Sequence, residues 1–256
     1  MNKIGILKEQ NGDPRVCMVP QTVQKVIKEL KYEVFIEQNA GEKAGFTDDA
    51  YLAAGAYVLT REDILKKLDI FLFINPFVPP FSFDAPKILI GVTNPLFHYN
   101  QLMPFLDPQI CLYSLDLVPR SSKAQSMDVL SSMASLSGYK AVIRGAELYN
   151  SVLPMFTTAA GTVRPAKVLV LGAGVAGLQA IATAKRLGAV VQAFDVRKSA
   201  GEEVRSLGAG FIEVEGALEN EHAGGYAVEQ TEDYLNRQRD LIDKHVSEAS
   251  IVISTA

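Results

Sequence analysis

Residues 167–197 constrain this chain more tightly than any other stretch. An apolar run, Val168 to Leu171, has the composition of a strand covered on both faces, and it leads directly into Gly172-x-Gly174-x-x-Gly177. A stretch with helical periodicity follows, closed by Gly188, and a second apolar run ends at Asp195. Strand, glycine turn, helix and strand in that order make a βαβ unit, and the glycine spacing fits a dinucleotide fingerprint. Gly172 suits the tight turn, Gly174 lets the backbone approach a pyrophosphate, and Gly177 lets the helix lie close to the strand. The helix N-terminus behind them offers unpaired N–H groups and a partial positive charge to phosphates.

Asp195 lies 18 residues beyond Gly177, where it is placed to accept from the ribose hydroxyls of an adenosine. An acid there disfavours a 2′-phosphate, so the expected nucleotide is NAD(H) rather than NADP(H). Arg197 leaves three roles open: serving a 2′-phosphate, stacking on the adenine, or standing in solvent. Val175 and Ala176, between the glycines, and Val196, beside the acid, belong to the same set of expected nucleotide contacts.

The chain has 256 residues, enough for two modest domains. Its net charge of −4 and its lack of a lysine- or arginine-rich block exclude nucleic acid as an expected partner. Cys17 and Cys111 lack metal-ligand spacing and read as buried thiols in a reducing compartment. His98, His222 and His245 also lack ligand spacing, so no metal is expected. The N-terminus gains charge at Lys3, Lys8 and Glu9, too early for a signal peptide. Two apolar stretches are interrupted, Val168 to Ala184 by the glycine turn and Ile70 to Phe83 by Pro76, Pro79 and Pro80. Neither is expected to span a bilayer.

Strand signals over 3–7, 32–36, 70–74, 87–92 and 110–116 alternate with helix signals over 20–30, 48–54, 62–68 and 99–106. Val23, Val26, Ile27 and Leu30 are expected on one face of the first helix. A long helical stretch covers 126–150. Beyond the fingerprint come a helix over 200–207, a strand over 210–214, a polar stretch over 215–232, a helix over 233–246 and a strand over 250–254. The expected class is α/β: two doubly wound Rossmann-like domains with parallel sheets, joined by a long helix. The expected divisions are an N-terminal domain at 1–125, a linking helix and loop at 126–164, and a nucleotide domain at 165–256. Only about four strands begin in that last domain, so its C-terminal continuation is expected to be missing.

A second polar constellation precedes the long helix: Arg120, Gln125, Asp128 and Ser131. The last three are three residues apart, which on a helix would put them on one face. They could hold the carboxamide and ribose of a nicotinamide, or form an ordinary solvated helix start. The segment Val118-Pro119-Arg120 through Gln125-Ser-Met-Asp128-Val-Leu-Ser131-Ser-Met, with Ser137-Gly138-Tyr139-Lys140-Ala141, closely resembles the NAD(H)-binding domain of proton-translocating NAD(P) transhydrogenase alpha subunits. So do Thr158-Ala-Ala-Gly161-Thr-Val-Arg-Pro165-Ala-Lys167, the fingerprint, and Gly224-Gly225-Tyr226-Ala227. Lys8-Glu9, Arg15-Val16 and Val19-Pro20 are similar to the wider superfamily that includes alanine dehydrogenase.

The resemblance implies that Arg120, Gln125, Asp128 and Ser131 hold the nicotinamide-ribose end. It implies that Gly225 and Tyr226 belong to a loop that closes over NAD(H). It further implies an NADP(H)-binding partner domain, a membrane subunit, a homodimer, and a place as a peripheral component at the cytoplasmic face of the inner membrane, without membrane insertion.

Two other readings remain open at this point. An alanine dehydrogenase-like enzyme needs an arginine clamp with a lysine and a histidine for proton transfer. Resemblance places that lysine where this chain has Asn75-Pro76 and that histidine where it has Thr93-Asn94, while His98 reads as a surface residue. A non-catalytic NAD sensor would need only the adenosine end of the site.

Overall fold

The structure is a computed structural model that describes residues 2–77, 83, 85–105, 108–119, 121–214 and 231–255. The chain forms two compact units, Met1–Val129 and Leu130–Ala256.

In the first unit the elements run β1 (Lys3–Ile6), α1 (Pro20–Lys25), β2 (Glu33–Glu37), α2 (Asp48–Ala53), β3 (Tyr57–Leu59), α3 (Arg61–Lys67), β4 (Ile70–Leu72), β5 (Lys87–Gly91) and β6 (Ile110–Ser114). The strands form one sheet in the order β3-β2-β1-β4-β5-β6, every pair parallel. Residue composition sets the helix starts. Thr47 and Thr60 accept from the backbone N–H of Ala50 and Asp63, with acids in the first turns of α2 and α3. Neighbouring residues on β1 serve opposite faces of the sheet. Ile6 packs with Val23 of α1 and Tyr51 of α2, whereas Leu7, just past the strand, packs with Ile64 and Leu65 of α3. This is the two-faced covering that a doubly wound sheet requires.

The helix expected over 20–30 is α-helical only to Lys25. Val26–Leu30 winds as a wider π-helix and ends at Lys31 in the left-handed region, φ 59°. The wider turn rotates Leu30 off the apolar face, and it is 62% exposed rather than packed with Val23. Cys111 also departs from expectation. It occupies an outward position on β6, whose residues alternate in exposure, and is exposed, while Cys17 is partly buried. Burial pushes the Cys17 thiol well above its ordinary pKa.

The second unit takes in nearly all of α4 (Val129–Leu148). It continues with an exposed hairpin, β7 (Phe156–Thr158) and β8 (Gly161–Val163), then β9 (Lys167–Leu171), α5 (Val175–Arg186), β10 (Val190–Phe194), α6 (Ala200–Ser206), β11 (Gly210–Phe211), α7 (Glu232–Glu248) and β12 (Ile251–Ser254). Its sheet order is β11-β10-β9-β12, again all parallel. Val168 and Val170 of β9 face α4, α5 and α6, while Leu169 faces α7 through Tyr234. β9 is therefore apolar on both sides because both sides are covered.

Where α4 crosses α5 the approach is close. A Cβ on Gly138 would stand 2.0 Å from the Ala176 carbonyl oxygen. Among the described residues no helix is long and apolar enough to cross a membrane.

Candidate functional site

In the second unit the fingerprint residues converge at the C-terminal ends of β9 and β10. β9 ends in Gly172, which turns with φ 94°, a conformation that side-chain-bearing residues rarely adopt. Its N–H donates to Phe194 O at 2.8 Å, pinning the turn to β10. Gly177 then brings α5 down on the turn, since a Cβ there would lie 1.9 Å from Gly172 O. Gly174 is the opposite case, with nothing within 4 Å of a Cβ built on it. That open space is the cradle a pyrophosphate needs, so the residues present fit a dinucleotide.

Gly174 is the N-cap of α5. There is no side-chain cap and no acid in the first turn, and the helical bond from Leu178 N–H reaches back to Gly174 O at 2.8 Å. The first-turn amides of Val175, Ala176 and Gly177 thus point along the axis toward the opening. Thr255, which belongs to no sequence motif, also holds the turn. It donates its N–H to Leu171 O (2.8 Å) and its hydroxyl to Gly172 O (3.0 Å). Its one signal in the sequence is a hydroxyl residue directly after an apolar strand.

Asp195 follows β10. Its side chain is only 7% exposed. Oδ1 accepts from Arg197 N (2.8 Å) and Nε (2.9 Å), and Oδ2 accepts from Ala173 N (2.7 Å) and the Arg197 guanidinium (3.0 Å). Burial alone would raise the Asp195 pKa. The bonds from the Arg197 guanidinium and from the Arg197 and Ala173 amides outweigh it and hold the carboxyl below its ordinary value. Val196 is 38% exposed beside it.

The constellation before α4 is arranged differently from the expected single helical face. Gln125 belongs to a separate 3-10 turn, Gln125–Met127. Asp128 is non-helical (φ −76°, ψ 87°), and α4 begins only at Val129, so Ser131 alone of the three is in the helix. The physical reason is Asp128 itself, whose short carboxylate favours turns and helix starts over helix interiors. Gln125 is exposed, while Asp128 and Ser131 are partly buried. Arg120, His222, Gly225 and Tyr226 lie outside the described residues.

The first unit carries a cleft of about 740 Å³ at the C-terminal ends of β1, β4 and β5, lined by residues that include Gln10, Asp13, Asn75, Thr93, Asn94 and His98. Asp13 is held by Arg15 through Nε (3.0 Å) and a terminal nitrogen (2.6 Å), and by Asn75 Nδ2 (2.8 Å). The Arg15 guanidinium keeps the Asp13 carboxyl far below the usual range. Asn75 Nδ2 also donates to Glu9 (2.9 Å), whose carboxylate accepts the Ile74 and Asn75 amides. The N–H groups of Thr93 and Asn94 are spent on Asp116. The cleft therefore unites the positions where an amino-acid dehydrogenase needs its lysine and histidine, and fills them with asparagine, proline and threonine. Its imidazole, that of His98, is exposed.

Residues 5–137 match the family described as alanine dehydrogenase/PNT, N-terminal domain, and residues 141–256 match its C-terminal domain. The chain is 44% identical over 265 aligned residues to an NAD(P) transhydrogenase subunit alpha protein of Rhodospirillum rubrum, covering 99% of this chain and 69% of that protein. It is 40% identical to the NAD(P) transhydrogenase subunit alpha of Haemophilus influenzae, covering 99% of this chain and only 50% of that one. The crystal structure of transhydrogenase from Sinorhizobium meliloti superposes with a TM-score of 0.88 at 40% identity, covering 100% of this chain and 70% of that chain. With its two parallel-sheet units and its glycine fingerprint, the chain belongs to the alanine dehydrogenase/PNT family and stands with the transhydrogenase alpha subunits within it.

Proposed function

We propose that this chain is the NAD(H)-holding component of a transhydrogenase. Bound NADH supplies a hydride from C4 of its nicotinamide to C4 of the nicotinamide of NADP⁺ held on a partner domain. The observation that carries this reading is the fingerprint turn: open above Gly174, closed beneath Gly177, facing an acid-free helix start, with Asp195 at the neighbouring strand end. The similarity to proteins named NAD(P) transhydrogenase subunit alpha supports it.

Hydride transfer requires no general acid or base, only two rings held at near-attack distance with water kept out. The chain's own residues therefore bind and orient. Amides of Gly174 to Gly177 take the pyrophosphate, Asp195 reads the adenosine ribose, and Arg120, Gln125, Asp128 and Ser131 orient the nicotinamide end. Gly225 and Tyr226 belong to a segment that closes over the nucleotide and excludes water. The first-unit cleft favours this reading over amino-acid oxidation, because it places no lysine where proton transfer to an amine would need one. In the same proposal the chain works as a homodimer, with an NADP-binding domain and a membrane subunit, at the cytoplasmic face of the membrane.

Titrating the protein with NADH and NADPH, followed by nicotinamide fluorescence, tests the cofactor assignment. NADH is expected to bind at least about tenfold more tightly, since a 2′-phosphate would meet the Asp195 carboxylate. Equal affinity for the two would contradict the assignment.

A further inference from the structure

The carboxylate expected to read a ribose already has a full set of donors. A carboxylate offers about four lone-pair positions, and on Asp195 these face Arg197 N, Arg197 Nε, the Arg197 terminal nitrogen and Ala173 N, at 2.7–3.0 Å. The side chain is 7% exposed, so solvent offers no spare approach. Two of the four bonds are backbone bonds fixed by the turns that carry Ala173 and Arg197. The other two come from a guanidinium that is 34% exposed and so has a solvent side to move toward. A ribose hydroxyl can reach an oxygen of Asp195 only where the guanidinium has left it.

We propose that Arg197 is the specificity-determining residue of this site: its guanidinium caps Asp195 in the free chain, competes with the ribose diol for that acid, and, once displaced, is the group available to a 2′-phosphate. The inference rests on the reading of the second unit as a dinucleotide site and goes further, because it names what weakens the discrimination that Asp195 provides. Neutralising the acid from within lowers the repulsion a 2′-phosphate would meet, and the displaced arginine offers that phosphate a charge-assisted partner. NADH binding must therefore break an internal ion pair, and the chain's choice between the two nucleotides is smaller than Asp195 alone would give.

Arg197→Met keeps the aliphatic stem and removes the charge, and titration of wild type and variant with NADH and NADPH reads the effect. The variant is expected to bind NADH more tightly, and NADPH about tenfold more weakly, one charge-assisted hydrogen bond's worth. NADPH affinity in the wild type should also fall more steeply with added salt than in the variant. Weaker NADH binding in the variant with NADPH unchanged would overturn the proposal by making Arg197 a direct contact to NADH. No change for either nucleotide would overturn it as well.

A measurement on the unaltered chain stands beside these titrations. The Arg197 Nε–H resonance should be protected from solvent exchange in the free protein and lose that protection on adding NADH; protection that persists overturns the proposal. Failure of the underlying reading is distinct, since a wild type that binds neither nucleotide removes the site itself, and this proposal with it.

Discussion

Gly177→Val is expected to unfold or grossly loosen the second unit and to abolish nucleotide binding, whereas Gly174→Ala should leave the fold intact and lose binding alone. The Cβ of any residue at 177 would lie 1.9 Å from Gly172 O and 2.8 Å from its carbonyl carbon. Both are backbone atoms, so no side chain can move aside to relieve the clash. Either α5 lifts off the sheet, giving up its contacts through Ala180, Ile181 and Ala184, or the turn that Thr255 and Phe194 hold must open. The cost is about 3 kcal/mol or more, at the upper end of overpacking penalties. At 174 a methyl group meets nothing within 4 Å, and φ is an ordinary −77°. The methyl would instead stand in the open space assigned to the pyrophosphate. Urea unfolding and NADH titration on both variants separate the two effects. A stably folded Gly177→Val that binds NADH normally would contradict a nucleotide site at this turn, as would a Gly174→Ala that binds like wild type.

The second large effect concerns rate. Asp128→Asn is isosteric and removes one charge just ahead of α4, at the nicotinamide end of the proposed site. With the NADP-binding partner present, hydride transfer is expected to fall about 10- to 100-fold, because displacing a reacting ring by about 1 Å can cost that much. NADH affinity should change by no more than about threefold, since most binding energy comes from the adenosine and pyrophosphate contacts around Gly174 and Asp195. Pre-steady-state transfer rates together with equilibrium titration make the distinction. Reduced affinity with an unchanged rate in the bound state would reassign Asp128 to binding rather than ring positioning.

The elements legible in the sequence are those with long apolar periodicity or chemical punctuation. β9, the glycine turn and α5 are readable because a run buried on both faces, three glycines at fixed spacing and a closing Gly188 each leave a separate mark. β3 leaves none, because its three residues sit at a sheet edge, where partial exposure erases the pattern. The β7–β8 hairpin escapes a sequence reading for a related reason. All six strand residues are exposed, so no apolar face exists to read, although Thr157, Thr158, Thr162 and Val163 around a short turn carry strand propensity. At the site, three-residue spacing suggests one helical face for Gln125, Asp128 and Ser131. Spacing alone does not say where a helix starts, and Asp128 sets that start later than expected. The pairing of Arg197 with Asp195 is beyond reach of the sequence, because two residues on one turn give no sign of whether they face each other or a ligand.

The most direct test of the proposed activity follows the hydride itself. NADH deuterated at both C4 positions, mixed in ordinary water with this protein, an NADP-binding partner domain and NADP⁺, should yield NADPH that carries one deuterium per molecule formed. No label should be lost to solvent, because the step passes between two rings with no protein acid or base between them. NADPH that forms without the label, with deuterium recovered in water, would contradict direct transfer, and so would the absence of any NADPH when both nucleotides are bound.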